Sequence, residues 1–214
     1  MDIACELPQT LDSATRVILT QQSNDSEVHI AVTALWTILQ GIYTWQAGQY
    51  SASPTPLYTA VPSRLDNPSD ANYDTKLFPF VLEFNSLQTA THLVLSWALQ
   101  LHICFILQRI AEARGEEIPV PSEFVDLTNS FDSMEDKAAN LARCICQSVE
   151  YCYRIEMGTF GPQTMVYPQW ITRQFFTRCG ANRELQWCNN VGNMSGTGTR
   201  CGIRLMTFQS SIAC

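Results

Sequence analysis

Apolar residues recur at helical spacing through most of the chain. In "EVHIAVTALWTILQGIYTWQAG" (27–48), Val28, Ala31, Leu35, Ile38, Ile42 and Trp45 follow one face of a 3.6-residue period. Ile30, Trp36 and Leu39 occupy its other faces, so this helix is expected to be enclosed on most sides. A shorter amphipathic segment, from about Asp12 to Gln22, precedes it. The longest segment runs from about Phe84 to Arg114 and stops at Gly115. Leu95, Leu99, Ile103, Ile106 and Ile110 make one apolar stripe there; Val94, Ala98, Leu101 and Phe105 make its neighbour. One polar row interrupts them: Gln88, His92, Ser96 and Gln100, four apart and therefore stacked on one another. Such a row meets solvent or hydrogen-bonds a neighbouring helix. If it contacts a ligand instead, Gln88, His92, Ser96, Trp97 and Gln100 are the pocket candidates.

Residues 48–79 break the pattern. Pro54, Pro56, Pro62, Pro68 and Pro79 forbid a continuous helix and favour extended or turning chain. This long loop is expected to be a wrapped arm pinned by Leu57, Tyr58, Val61 and Phe78. Further on, Ser133 followed by Asp136 resembles a capping box and starts another helix. Ala138, Leu141, Ile145, Val149, Cys152 and Ile155 form its stripe, with Gly158 placed as the left-handed stop after Met157. Gly161-Pro162 keeps the helix from resuming. The fold class is all-α: an irregular multi-helix bundle with a proline-rich loop between the second and third helices. Residues 1–190 form one helical domain, and 191–214 an irregular tail; the helical pattern already lapses at 189.

The cysteines raise the question of a metal. Cys144, Cys146 and Cys152 fall within nine positions. Cys144 and Cys146 point apart on a helix, and Cys144 and Cys152 lie two turns apart, too far for one ion. Zinc knuckles use a C-x2–4-C turn, and no C-x2-C pair occurs here. These thiols read as small hydrophobes of the core, and no metal or cofactor is expected. The chain has no H-E-x-x-H, G-x-S-x-G or P-loop motif, and only three histidines, His29, His92 and His102. "SGTGTRCG" (195–202) has the glycines of a nucleotide loop without a strand before it, and reads as coil. "DSMED" (132–136) suits helix-start charges better than a metal motif.

Composition narrows the function classes further. Charged residues make up only 15% of the chain, well below the roughly 25% of ordinary soluble domains, which favours burial of its surface against a partner or another part of a longer chain. The net charge of −7 is segregated: residues 1–153 carry 18 acids and 7 bases, residues 154–214 only 2 acids and 6 bases. Arg173, Arg178, Arg183, Arg200 and Arg204 are spaced around a helix rather than along one side, so no nucleic-acid face is expected. The start "MDIACELPQT" lacks a secretory leader, and nine cysteines then suggest reduced thiols inside a cell. "LVLSWALQLHICFIL" (93–107) is too interrupted for a spanning helix and reads as core.

Three segments carry a family resemblance. "LFPFVLEFNSLQTATHLVLSWALQLHI" (77–103), "ARCICQSVEYCYRIEMGTFGP" (142–162) and "VYPQWITRQFF…NRELQWC" (166–188) follow one another at sensible spacing. Together they resemble the C-terminal regulatory region of fungal zinc-binuclear-cluster transcription factors, over roughly residues 28 to 190. The resemblance implies a nuclear, all-helical region that lies downstream of the DNA-binding cluster and modulates activation, often for a secondary-metabolite gene cluster. The family's cysteine blocks are absent from this chain, so zinc and DNA binding carry over to no residue. The expected partners are other proteins or a small-molecule effector, a homodimer being one form of such contact, with neither nucleic acid nor membrane. Outside the nucleus, the cytoplasm is the alternative location. The rival reading is an enzyme or accessory protein of a fungal secondary-metabolite pathway, with a pocket between the central helices and His92 and His102 as acid–base candidates. A third is a binding module whose apolar groove takes a partner helix.

Overall fold

The computed structural model describes residues 3–19, 24–64, 66, 68–118, 120–121 and 133–194. Helix α1 spans Ile3–Leu19 and α2 Asp25–Ala52, the latter capped by Asn24, which accepts from the Glu27 amide. The first helix begins well ahead of the expected Asp12 and carries Pro8 within it. Strands β1 (Tyr58–Pro62) and β2 (Phe80–Phe84) pair antiparallel, with Tyr58 opposite Phe84 and Pro62 opposite Phe80. Then come α3 (Leu87–Arg114), α4 (Met134–Cys152), the short α5 (Phe160–Thr164), α6 (Val166–Cys179) and α7 (Asn182–Met194). The architecture is the all-α multi-helix bundle that the periodicity implies.

Local chemistry sets most helix ends. Ser86 accepts from the Thr89 amide, and Ser133 from Asp136, at the starts of α3 and α4. Gly115 and Gly180 end α3 and α6 in the left-handed region (φ 66° and 64°), a conformation that costs a side-chain-bearing residue energy.

Helix α3 is the common wall of two apolar clusters. On one side Leu93, Val94, Trp97 and Leu101 meet Ile145 and Val149 of α4 and Ile171 and Phe175 of α6. On the other, Ile103, Ile106, Leu107 and Ile110 meet Leu35, Trp36 and Leu39 of α2 and Leu7 and Ala14 of α1. Length and apolarity would let α3 cross a membrane, yet 67% of its most apolar window is buried within the bundle.

Several expectations need correction. The proline-rich loop begins later than 48, since α2 runs to Ala52, and it contains strand β1; β2 follows it, and Phe84 closes that strand rather than opening a helix. The arm is pinned by Leu57 and Phe78, both buried, with Tyr58 packed against their cluster, while Val61, also expected to pin it, is only half-buried and belongs to neither cluster. Helix α2 is enclosed less fully than expected: Trp36 and Leu39 are buried on its other faces, but Ile30 is 65% exposed and Trp45 is also open. Leu95, assigned to a core stripe, is 43% exposed.

Helix α4 ends at Cys152, not Met157. The chain leaves the helix at Arg154, whose guanidinium donates to Glu83 of β2 at 2.6 Å, and then makes a 3-10 turn over Ile155–Met157. Ile155 is consequently 70% exposed. Gly158 has φ 58° and ψ −145°, so it is not the left-handed helix stop expected of it. Gly161 and Pro162, expected to keep the helix from resuming, lie inside the short α5, where Gly161 packs on the end of α4 and a Cβ would fall 2.1 Å from the Cys152 carbonyl oxygen. At the other end of the domain, α7 continues through 189 and 190 to Met194. The glycine-rich 195–202, Arg200 and Arg204 lie outside the described residues.

Candidate functional site

The polar row on α3 divides along its length. Gln88 and His92 are exposed, whereas Ser96 and Gln100 are buried. The amide nitrogen of Gln100 donates to Oε1 of Gln46 on α2 at 2.8 Å and to the Ser96 hydroxyl at 3.1 Å. Ser96 in turn donates to Gln46 at 3.3 Å. The buried half of the row is therefore a clasp between α2 and α3, in which polar atoms removed from water satisfy one another. At its open end the Trp45 and His92 rings meet edge to face, 6.1 Å apart. Gln46 could have been found from the sequence: it lies on the helix that must pack beside α3 and interrupts an apolar run.

Trp97 faces elsewhere. It sits in the main core with edge-on Tyr58 (5.6 Å) and tilted Phe84 (6.2 Å), fastening the ribbon to α3. His102 faces α6, with Nδ1 2.9 Å from the Tyr167 hydroxyl and the Trp170 ring 5.6 Å away. Burial pushes its imidazole down to about 4, so the ring is neutral near pH 7. A neutral ring accepting from Tyr167 at Nδ1 carries its proton on Nε2. His92 and His102 thus approach different helices, α2 and α6, and do not form a shared acid–base pair.

The thiols of α4 are packed as expected: Cys146 and Cys152 are buried, and Cys144 is half-buried against the same core. Burial raises all three, leaving them protonated and poorly nucleophilic at neutral pH. Among the described residues, no three His, Cys, Asp or Glu side chains gather as a metal-binding group.

Two features escaped the sequence reading. Lys137, three residues after a negatively charged helix start, is 4% exposed with its ammonium 4.1 Å from the Tyr43 ring centre. Burial lowers its pKa. The other is a cavity of about 220 Å³ between α4, α6 and α7, floored by Phe78, Phe175 and Phe176 and rimmed by Glu135, Arg143 and Glu184. An open groove of about 380 Å³ between α1 and α2 is lined by His29, Ile30 and Thr33 among others. None of the residues singled out on α3 lines either space.

Two of the late arginines are tied into the bundle. Arg178 pairs with Glu112 of α3; Arg183 donates to Asp70 at 3.2 Å and to the Thr75 carbonyl. No family model, curated protein or solved structure matches the chain.

Proposed function

We propose that this chain is a non-catalytic regulatory domain of the kind that follows the zinc cluster in fungal transcription factors. It modulates transcription in the nucleus through protein contacts or by sensing a small molecule, and serves a secondary-metabolite gene cluster.

The observation that carries the reading is where the three resembling segments fall. Their most distinctive residues do structural work in one core. Glu150 of "EYC" accepts from the Ser63 hydroxyl at 2.9 Å and the Arg64 amide at 3.1 Å, holding the proline-rich arm. Gly161 of "MGTFGP" lies against the Cys152 carbonyl. Trp187 of "RELQWC" meets Phe78 of "LFPF" edge-on at 4.8 Å. A resemblance confined to residues that hold a fold supports a shared architecture rather than a shared chemistry. Exposed Ile155, Phe160, Val166 and Trp170, on and around α5 and α6, supply apolar area for protein contacts.

The test fuses the chain to a heterologous DNA-binding module and measures a reporter. Reporter output should depart from that of the module alone, and Trp97→Ala, which unseats the ribbon, should abolish the difference. His92→Ala and His102→Ala should preserve it. A fusion that is helical by circular dichroism yet leaves the reporter at the level of the module alone rules the proposal out.

A further inference from the structure

Cys146 on α4 and Cys188 on α7 bring their sulfurs to 3.7 Å inside the main core, and both residues are buried. The other described thiols, Cys104, Cys144, Cys152 and Cys179, have no such sulfur neighbour among the described residues. Two sulfurs at this separation are in van der Waals contact. A disulfide needs them at about 2.05 Å, so the two sulfurs must close by about 1.7 Å. The partners lie 42 residues apart in sequence, so a bond between them would close a long loop.

Helix α7 covers the pair. It is the last described helix and is held by the edge contact of Trp187 with Phe78 and by Arg183 reaching Asp70 and Thr75. While α7 is seated, the sulfurs are sealed from water, and burial together with the neighbouring Cys188 thiol keeps Cys146 protonated. Local opening of one helix costs less than global unfolding, and opening of α7 exposes both thiols at once.

We propose that Cys146 and Cys188 form a gated redox pair: opening of α7 admits a peroxide-class oxidant, and the resulting disulfide locks α7 onto α4. The two thiols lose two protons and two electrons as the S–S bond forms. Hydrogen peroxide takes up both, its O–O bond breaks, and two waters leave. A glutathione-class thiol reverses the step by exchange through a mixed disulfide.

The experiment treats the full chain with hydrogen peroxide under native conditions. Mass spectrometry should show a loss of about 2 Da, the two hydrogens given up as the thiols join. Fragmentation of non-reduced peptides should place the link at Cys146–Cys188. Thermal melting should rise by roughly 5–10 °C and return to its starting value with dithiothreitol. Cys188→Ser and Cys146→Ala should each abolish the link, while Cys144→Ser and Cys152→Ser retain it. Arg183→Gln, which loosens α7 without touching either sulfur, should speed formation several-fold. A link mapped to other cysteines, a covalent dimer in its place, or peroxide-treated protein with Cys146 and Cys188 still unlinked overturns the proposal. An unchanged rate in Arg183→Gln overturns the gate.

Discussion

The two clusters on either side of α3 are held in different ways. On the α4–α6–α7 side, polar contacts reach across long stretches of sequence: Glu150 to Ser63 and Arg64, Arg154 to Glu83, Arg183 to Asp70, His102 to Tyr167. On the α1–α2 side, the described contacts are mainly apolar, with the Gln46 clasp on one edge and an ion pair between Arg114 and Asp25 at the far end. Apolar burial supplies stabilisation without direction, whereas hydrogen bonds to buried carboxylates fix where an arm must lie. The first side carries irregular chain, a ribbon and a 3-10 turn, and needs that fixing. The second consists of helices, whose own ladders already satisfy the backbone.

This contrast can be broken most severely at Trp97. Trp97→Ala removes a ring buried between Tyr58 and Phe84 and should cost about 3–5 kcal/mol, read as a fall of roughly 10 °C in Tm. Next comes Glu150→Ala, which removes the buried carboxylate that accepts from the Ser63 hydroxyl and the Arg64 amide. A loss of about 2–3 kcal/mol in urea titration is expected. Proteolysis should become faster within 57–79 and stay unchanged in α1 and α2. Equal protection of both regions would mean that the carboxylate does not anchor the arm.

The His102 contact sharpens the comparison through pH. Its folded pKa, about 4, lies below the ordinary 6.5, so the unfolded chain binds the extra proton first as pH falls. The stabilisation is full above pH 6.5 and is lost on descent toward pH 4. For a partly solvated ring it should amount to about 2 kcal/mol. Urea midpoints for His102→Gln should be flatter across that window than those of the parent chain. The smallest effect is expected at the clasp. Gln100→Met leaves Gln46, which is only half-buried, free to rehydrate, and should change stability by under about 1 kcal/mol. A loss above about 2 kcal/mol, the penalty for stranding a buried polar group, would show that the second side also depends on directional contacts.

What the sequence made legible follows the same division. Caps and stops are local chemistry, so Ser133 and Gly115 could be placed from composition alone. Stripe assignments failed at the edges of apolar faces. Ile30 and Leu95 adjoin core stripes of α2 and α3 but fall beside exposed polar residues, Thr33 and Thr37 in the first case and Gln88 and His92 in the second. The ribbon was hidden because β2 buries Val81, Leu82 and Phe84 without strict alternation. Helix α4 stops short of Arg154, which reaches Glu83, 71 positions away, and no window around Arg154 contains that residue. At the candidate site, the polar row was visible and Gln46, interrupting an apolar run of α2, was a signal for its partner, whereas the His102–Tyr167 contact depends on which helices become neighbours. Ten residues of helix also rotate His102 well away from His92, a geometric reason against pairing them that needs no coordinates.

Because α3 walls both clusters, and Phe105 and Met134 touch each of them, the molecule offers no plane along which it can be divided. A fragment beginning at β1 would keep every resembling segment yet leave Ile103, Ile106 and Ile110 facing water, and a fragment ending before α3 would hold two helices around nothing.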